Sequence, residues 1–162
     1  MSRSALVTGA TGFLGSHLCR ALLDKGWSVS GLRRGSSSVP SGLDALTWTV
    51  SDVRDRRGVK EAVAGHDVVF HLAGVGLLDA DEQTVRQVNA DGTRYVVAAA
   101  VDGNVDRLVF TSTAGTRRSS GLATEADTAA PVGAYQESKL AAERSIEAAV
   151  ADGLDAVIVH PT

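Results

Sequence analysis

Thr8-Gly9-Ala10-Thr11-Gly12-Phe13-Leu14-Gly15 follows a short apolar run, Ala5-Leu6-Val7, and leads into a segment of helical period. A glycine pattern between a strand and a helix carries more weight than the same letters elsewhere. Glycine at Gly9, Gly12 and Gly15 permits a tight turn, close approach of the backbone to a pyrophosphate, and close packing of helix on sheet. Thr11, Phe13 and Leu14 open the helix, where free N–H groups attract an anion. The spacing is Gly-x-x-Gly-x-x-Gly. A ligand-free glycine turn is the alternative, and placement and composition together favour the anion site.

Outward from this turn, short β-branched runs alternate with helical segments, the pattern of a parallel sheet covered by helices on both faces. Strands are expected at Ser4 to Thr8, Trp27 to Leu32, Leu46 to Val50, Val68 to Leu72, Arg107 to Thr111 and Ala156 to His160. Leu14, Leu18, Ala21 and Leu22 share one helical face, and Gly26 stops that helix. A second stripe runs through Val85, Val88, Gly92, Tyr95, Val96 and Ala99 to Gly103. A short helix is expected around Asp55 to Ala64. A long one is expected from Ala134 to about Asp152, with Ala142, Ile146, Ala149 and Val150 inward. Two polar stretches, Arg33 to Gly42 and Gly115 to Gly133, read as loops. Right-handed crossovers wind such a chain both ways from its first strand, so an α/β Rossmann-type doubly wound sheet of order 3-2-1-4-5-6 is expected. Ligands bind at the C-terminal strand ends of such sheets.

The totals narrow the function. A length of 162 residues fits a single dinucleotide-binding domain over 1–162. Sixteen basic against 19 acidic residues leave no basic field for nucleic acid. Cys19 is the only cysteine, which excludes an internal disulfide and suits a reducing compartment. Neither a secretory signal nor an apolar stretch of membrane-spanning length is visible, so a soluble, cytoplasmic protein is expected. His17, His66, His71 and His160 are scattered without carboxylate or cysteine at ligand spacing, so no metal site is expected. His71 reads as a packed or backbone-bonded residue.

Where the second strand ends, an acid would bind the ribose of NAD. This chain has Arg33-Arg34, then Gly35 and three serines. Guanidinium forks and hydroxyls suit a 2′-phosphate, so NADP is expected over NAD. Further along, Tyr135 and Lys139 are four residues apart and share a helix face. A free tyrosine titrates near 10, so poising it at neutral pH takes about 4 kcal/mol of phenolate stabilisation, and a nearby ammonium acts in that direction. Such a pair is common on solvated helices. The hydroxyls of Thr111-Ser112-Thr113, at the same sheet edge as the glycine turn, favour a functional reading.

Taken together, Thr8 to Gly15, Ser51-Asp52-Val53, Phe70-His71-Leu72-Ala73-Gly74, Val88-Asn89 with Gly92-Thr93, Leu108 to Thr113 and Tyr135 to Lys139 resemble the extended short-chain dehydrogenase/reductases. The similarity includes the NAD(P)-dependent epimerase/dehydratase and dihydroflavonol-reductase-like branches and spans essentially the whole chain. It implies Tyr135 as general acid/base, Lys139 lowering its pKa and holding the nicotinamide ribose, and Thr113 bonding the reacting oxygen. It further implies Asp52 and Val53 at adenine, and Leu72, Ala73 and Gly74 beside the cofactor. Ser112 and Asn89 are implied to be architectural. Ala114-Gly115-Thr116 stands where many nucleotide-sugar enzymes carry Val-Tyr-Gly, closer to the reductases.

Val157 to Thr162 resembles the strand and proline that lead into the nicotinamide pocket, with the family's substrate region lying beyond. The chain is therefore expected to be a fragment or truncated product whose last strand is an apolar edge, hidden by self-association. The implied activity is hydride transfer to or from a carbonyl or hydroxyl carbon of a small or sugar-like substrate. The alternative is a non-catalytic NAD(P)-binding module, or an inactive fragment of a nucleotide-sugar epimerase/dehydratase. Solvated surface roles are expected for the arginine pair Arg117-Arg118 and for Glu125 and Asp127.

Overall fold

The computed structural model describes residues 2–117, 124 and 127–161. Six parallel strands form one sheet of order β3-β2-β1-β4-β5-β6: β1 (Ser4–Thr8), β2 (Ser28–Arg33), β3 (Thr47–Val50), β4 (Val68–His71), β5 (Arg107–Thr111) and β6 (Ala156–Val159). This is the doubly wound Rossmann-type order expected from the sequence. Strand ends differ from expectation by no more than a residue. Because every pair is parallel, Thr8, Arg33, His71 and Thr111 all end at one edge of the sheet.

The sheet is buried by two apolar layers, and the strand alternation assigns residues to them. Leu6, Val69, Leu108 and Phe110 face α2 (Arg56–Val63), α4 (Gly92–Asp102) and α5 (Ala134–Ala151). Ala5, Val7 and Val29 face α1 (Phe13–Asp24) together with Leu43 and Leu46. Trp48 completes that second layer by lying over Gly31, where a β-carbon would come within 2.4 Å of its ring.

The inward stripes need correction at three places. In α1 the buried face is Gly15, Ser16, Cys19 and Leu22, whereas Leu14 and Ala21 are exposed. The helix is rotated to bring Gly15 against the turn, and that rotation carries Leu14 outward. Burial pushes the Cys19 thiol up to about 11. In α5, Ala142 and Ile146 are buried but Val150 is exposed at the last turn.

The helix expected across Val85 to Ala99 is composite. A short α3 (Glu82–Arg86) passes through a π-helical segment, Gln87–Asp91, into α4. A π-turn adds a residue to the ladder and re-aims the side chains within it, here Asn89.

Candidate active site and cofactor cleft

The glycine turn is built by contact, not only by conformation. Gly9 has φ +70° and lies so close to the β4 exit that a β-carbon there would meet the Ala73 nitrogen at 2.7 Å. Gly15 is more constrained: its β-carbon would approach the Gly9 carbonyl oxygen to 2.2 Å. Gly12 donates its N–H to that same carbonyl at 3.0 Å and caps α1 without a side chain. The first-turn amides therefore face outward with no side-chain oxygen competing for them.

Gly9, Thr11, Gly12, Leu32, Arg33, Arg34, Ser37, Ser51, Asp52, Val53, Leu72, Ala73, Gly74, Val75 and Val88 line one cleft along the C-terminal strand ends. Most of the residues expected to hold a cofactor are thus brought together. Phe13, Leu14, Gly15 and Lys139 do not line it: Phe13 is 84% exposed beside His17, Gly15 is buried beneath Gly9, and Lys139 is buried on α5. Ser37, Ser51 and Val75 belong to the cleft wall in addition.

Charge in the cleft is uneven. Asp52 accepts from Arg54 Nε at 3.0 Å and Nη2 at 2.9 Å, and that bidentate bond holds its carboxyl below the usual range. Asp52 is therefore already matched. Arg33 donates Nη1 to the carbonyls of Ser37 at 3.1 Å and Arg34 at 3.4 Å, while its buried Nε has no partner. Neither Arg33 nor Arg34 forms a direct ion pair among the described residues, although the Arg34 charge acts on Asp52 from a distance. An orphaned buried N–H in a cleft of net positive character fits an anionic ligand group.

At the other side of the sheet edge, α5 presents Tyr135 and Lys139. Lys139 is 4% exposed, donates Nζ to the Thr111 carbonyl at 2.7 Å and lies 4.2 Å above the Phe110 ring. Burial lowers its pKa to about 8, against an opposing pull from Glu143. Tyr135 is partly exposed at the start of the helix, and its hydroxyl bonds no described residue. Thr113 caps a 3-10 turn, Ala114–Thr116, by accepting from the Gly115 N–H at 3.2 Å. No hydrogen bond joins Thr113, Tyr135 and Lys139 to one another. Gln136 supports this corner: its side chain accepts from Val132 N–H at 2.7 Å and packs below Gly115.

Behind these groups lies a buried carboxylate that the sequence reading passed over. Glu143, fully buried one turn beyond Lys139, accepts from Ser112 Oγ, from Thr116 Oγ1 at 3.1 Å and from Arg117 at 3.2 Å, with His160 Nε2 also 3.2 Å away. Arg117 is accordingly not an exposed surface arginine, since its side chain is 15% exposed and paired inward. The repeat of four from Tyr135 through Lys139 to Glu143 was the available signal. Asp127 accepts from the Thr124 N–H at 2.7 Å, whereas Arg118 and Glu125 lie outside the described residues. His71 is packed as expected, but its bonds go to two hydroxyls rather than to backbone.

Among the described residues no helix is long and apolar enough to cross a membrane. The sequence profile of the NAD dependent epimerase/dehydratase family matches residues 5–162. The chain is 36% identical over 166 residues to sterol demethylase protein B of Methylococcus capsulatus, covering 98% of this chain and 50% of that protein. It is 35% identical over 171 residues to a Synechocystis protein provisionally named dihydroflavonol 4-reductase, covering 100% of this chain and 49% of that one. A short-chain dehydrogenase/reductase superfamily protein from Agrobacterium tumefaciens, solved with bound NAD, superposes with a TM-score of 0.86 at 29% identity, over 98% of this chain and 48% of that one. The chain spans about half the length of these relatives. It belongs to the NAD dependent epimerase/dehydratase family, whose members are NAD(P)-dependent oxidoreductases of the extended short-chain dehydrogenase/reductase type.

Proposed function

We propose that this member of the family is an NADP-dependent oxidoreductase core, acting on a carbonyl or hydroxyl carbon of a small organic or sugar-like substrate. The observation that carries the reading is Lys139. A buried ammonium anchored on the Thr111 carbonyl, one turn from Tyr135 and at the sheet edge of the glycine turn, is costly for a fold to keep without a use.

The first-turn amides after Gly12 would hold the pyrophosphate, with Gly9 and Gly15 keeping side chains out of its way. Asp52 and Val53 would meet adenine, and Leu72, Ala73 and Gly74 the nearer face of the cofactor. Arg33 and Arg34, left positive because Arg54 already matches Asp52, favour a 2′-phosphate and hence NADP. Five similar structures carry NAD, so the preference rests on these arginines alone.

When bound, the nicotinamide supplies or accepts the hydride. Tyr135 gives its proton to the substrate oxygen in the reducing direction and takes one in the oxidising direction. Lys139 favours the phenolate through its charge and offers N–H groups to the ribose. Thr113 keeps its own O–H free while Gly115 bonds its lone pair, so it can donate to the reacting oxygen.

Titration with NADPH and NADH, followed by NADPH oxidation over a panel of ketones, tests the reading. Tighter binding of NADPH and a Tyr135→Phe loss of roughly a hundredfold or more in turnover are expected. Tighter NADH binding would overturn the cofactor assignment. Cofactor binding with no turnover on any substrate would instead favour a non-catalytic dinucleotide-binding module.

A further inference from the structure

Four polar side chains at the heart of the sheet edge are completely buried: Thr8 on β1, His71 on β4, Asn89 in the π segment and Thr93 on α4. They form a line. Thr8 Oγ1 is 2.7 Å from His71 Nδ1 and also accepts the Ala73 N–H at 3.2 Å. His71 Nε2 is 2.9 Å from Thr93 Oγ1, which lies 2.6 Å from the main-chain carbonyl oxygen of Asn89, so the line reaches Asn89 through its backbone.

Each hydroxyl has one proton, and this fixes the direction of every bond. A carbonyl only accepts, so Thr93 gives its proton to Asn89 and must accept from Nε2–H. Nδ1 is then the bare nitrogen and accepts the Thr8 proton, leaving the Thr8 lone pairs for the Ala73 amide. The other tautomer would set Nε2 and Thr93 lone pair against lone pair and strand the Thr8 proton. An imidazolium would strand that proton as well and place a second buried cation behind Phe110, whose ring carries Lys139 on α5. Lys139 is the charged group felt by His71. The neighbours on β1, β5 and α4 are Thr8, Phe110 and Thr93, all neutral. Burial, aided by Lys139, lowers the imidazole pKa to about 3.

Asn89 extends the line to the next two elements. Its carboxamide accepts the Val75 N–H at 2.9 Å, donates to the Val75 carbonyl at 2.9 Å, and donates to Ser138 Oγ at 3.1 Å. Ser138 passes its proton to the Tyr135 carbonyl at 2.6 Å. The segment from Leu72 to Val75 is thus gripped at Ala73 by Thr8 and at Val75 by Asn89.

We propose that His71 is a positioning residue: fixed as the neutral Nε2–H tautomer, it joins the two grips into one relay that holds the Leu72–Val75 wall of the cofactor cleft. The effect on cofactor rests on the function proposed above; the tautomer and the grip do not.

The test is long-range 1H–15N correlation of 15N-histidine-labelled protein from pH 5 to 8, with the ring assigned through His71→Gln. The ring assigned to His71 should keep the Nε2–H pattern throughout, and titration of that ring in this range, or an Nδ1–H pattern in it, would overturn the proposal. Thr93→Val should speed amide exchange at Ala73 about tenfold, and Thr93→Ser should restore it. Unchanged Ala73 exchange in a folded Thr93→Val protein would refute the grip. Dissociation constants for NADPH and NADH should rise together in Thr93→Val, because Arg33 and Arg34 lie on the far side of β1. If wild-type protein binds neither cofactor, the cleft assignment fails while ring and amide readouts still decide the relay.

Discussion

At the scale of the residue, Lys139 makes a prediction whose sign is set by its surroundings. Its folded pKa of about 8 lies below the free value of 10.5, so below pH 8 both states carry the proton and the native state bears the cost of a buried charge. Between about pH 8 and 10.5 the unfolded chain keeps the proton and the native protein does not, so stability from this group rises with pH. The shift corresponds to roughly 3 kcal/mol. Lys139→Met should therefore be more stable than wild type at pH 7 despite losing the Thr111 bond, and this advantage should shrink toward pH 10 while activity is absent throughout. Urea melts of both proteins at the two pH values measure it, and a constant difference would reject the assignment. His71 acts in the opposite range. Its folded pKa of about 3 is below the ordinary 6.5, so the unfolded chain binds a proton first as pH falls, and stability drops from about pH 6.5 downward. His71→Gln should lack that acid-side slope, which the same melts at pH 4.5 and 7 would show.

At the scale of the element, Gly15 sets two effects against each other. Alanine favours a helix interior over glycine by about 1 kcal/mol, yet at Gly15 the new carbon would fall 2.2 Å from a backbone oxygen that cannot swing away. Overpacking of this kind typically costs about 1–3 kcal/mol, occasionally more, so the clash wins. Gly15→Ala should lower Tm and weaken cofactor binding by displacing the turn. Gly26→Ala is the contrasting change, with space around it but φ +78°, so its loss should come from backbone strain alone and leave cofactor affinity intact. An unchanged Tm for Gly15→Ala would show that the turn is not built by contact.

The same glycines explain what could be read beforehand. Ser4–Thr8 is buried on both faces and Arg107–Thr111 buries Leu108 and Phe110 on one face with Val109 half-buried on the other, so apolar runs mark both in the sequence. Cleft residues such as Gly9, Arg33 and Ala73 follow from lying at C-terminal strand ends. Helix rotation was not legible, because it depends on Gly15 meeting the Gly9 carbonyl, a contact between backbones. The four-residue repeat places Glu143 on the Tyr135 and Lys139 face, but its partners and those of His71 were not legible, since they are drawn from elements far apart in sequence. The π segment offers no local signature and is needed to aim Asn89 at Val75 and Ser138.

At the scale of the whole molecule, no strand pairs with the outer edge of β6 among the described residues, and Val157 and Val159 are each 40% exposed on the sheet face opposite Ala156 and Ile158. Such an edge is a template for another strand. Its strength is limited: partial burial of two valines contributes about 1 kcal/mol each, and a few new backbone bonds about 1 kcal/mol each, against several kcal/mol for lost rigid-body freedom. These terms nearly cancel, so self-association is expected to be weak, leaving a monomer at micromolar concentration and a dimer only at roughly millimolar concentration and above. Sedimentation velocity over that range reads the change in mass. Val157→Lys places a charge on the face that association would bury, and should hold the protein monomeric without reaching the cleft. A tight dimer at low micromolar concentration, or one indifferent to Val157→Lys, would mean that a surface other than β6 brings the copies together.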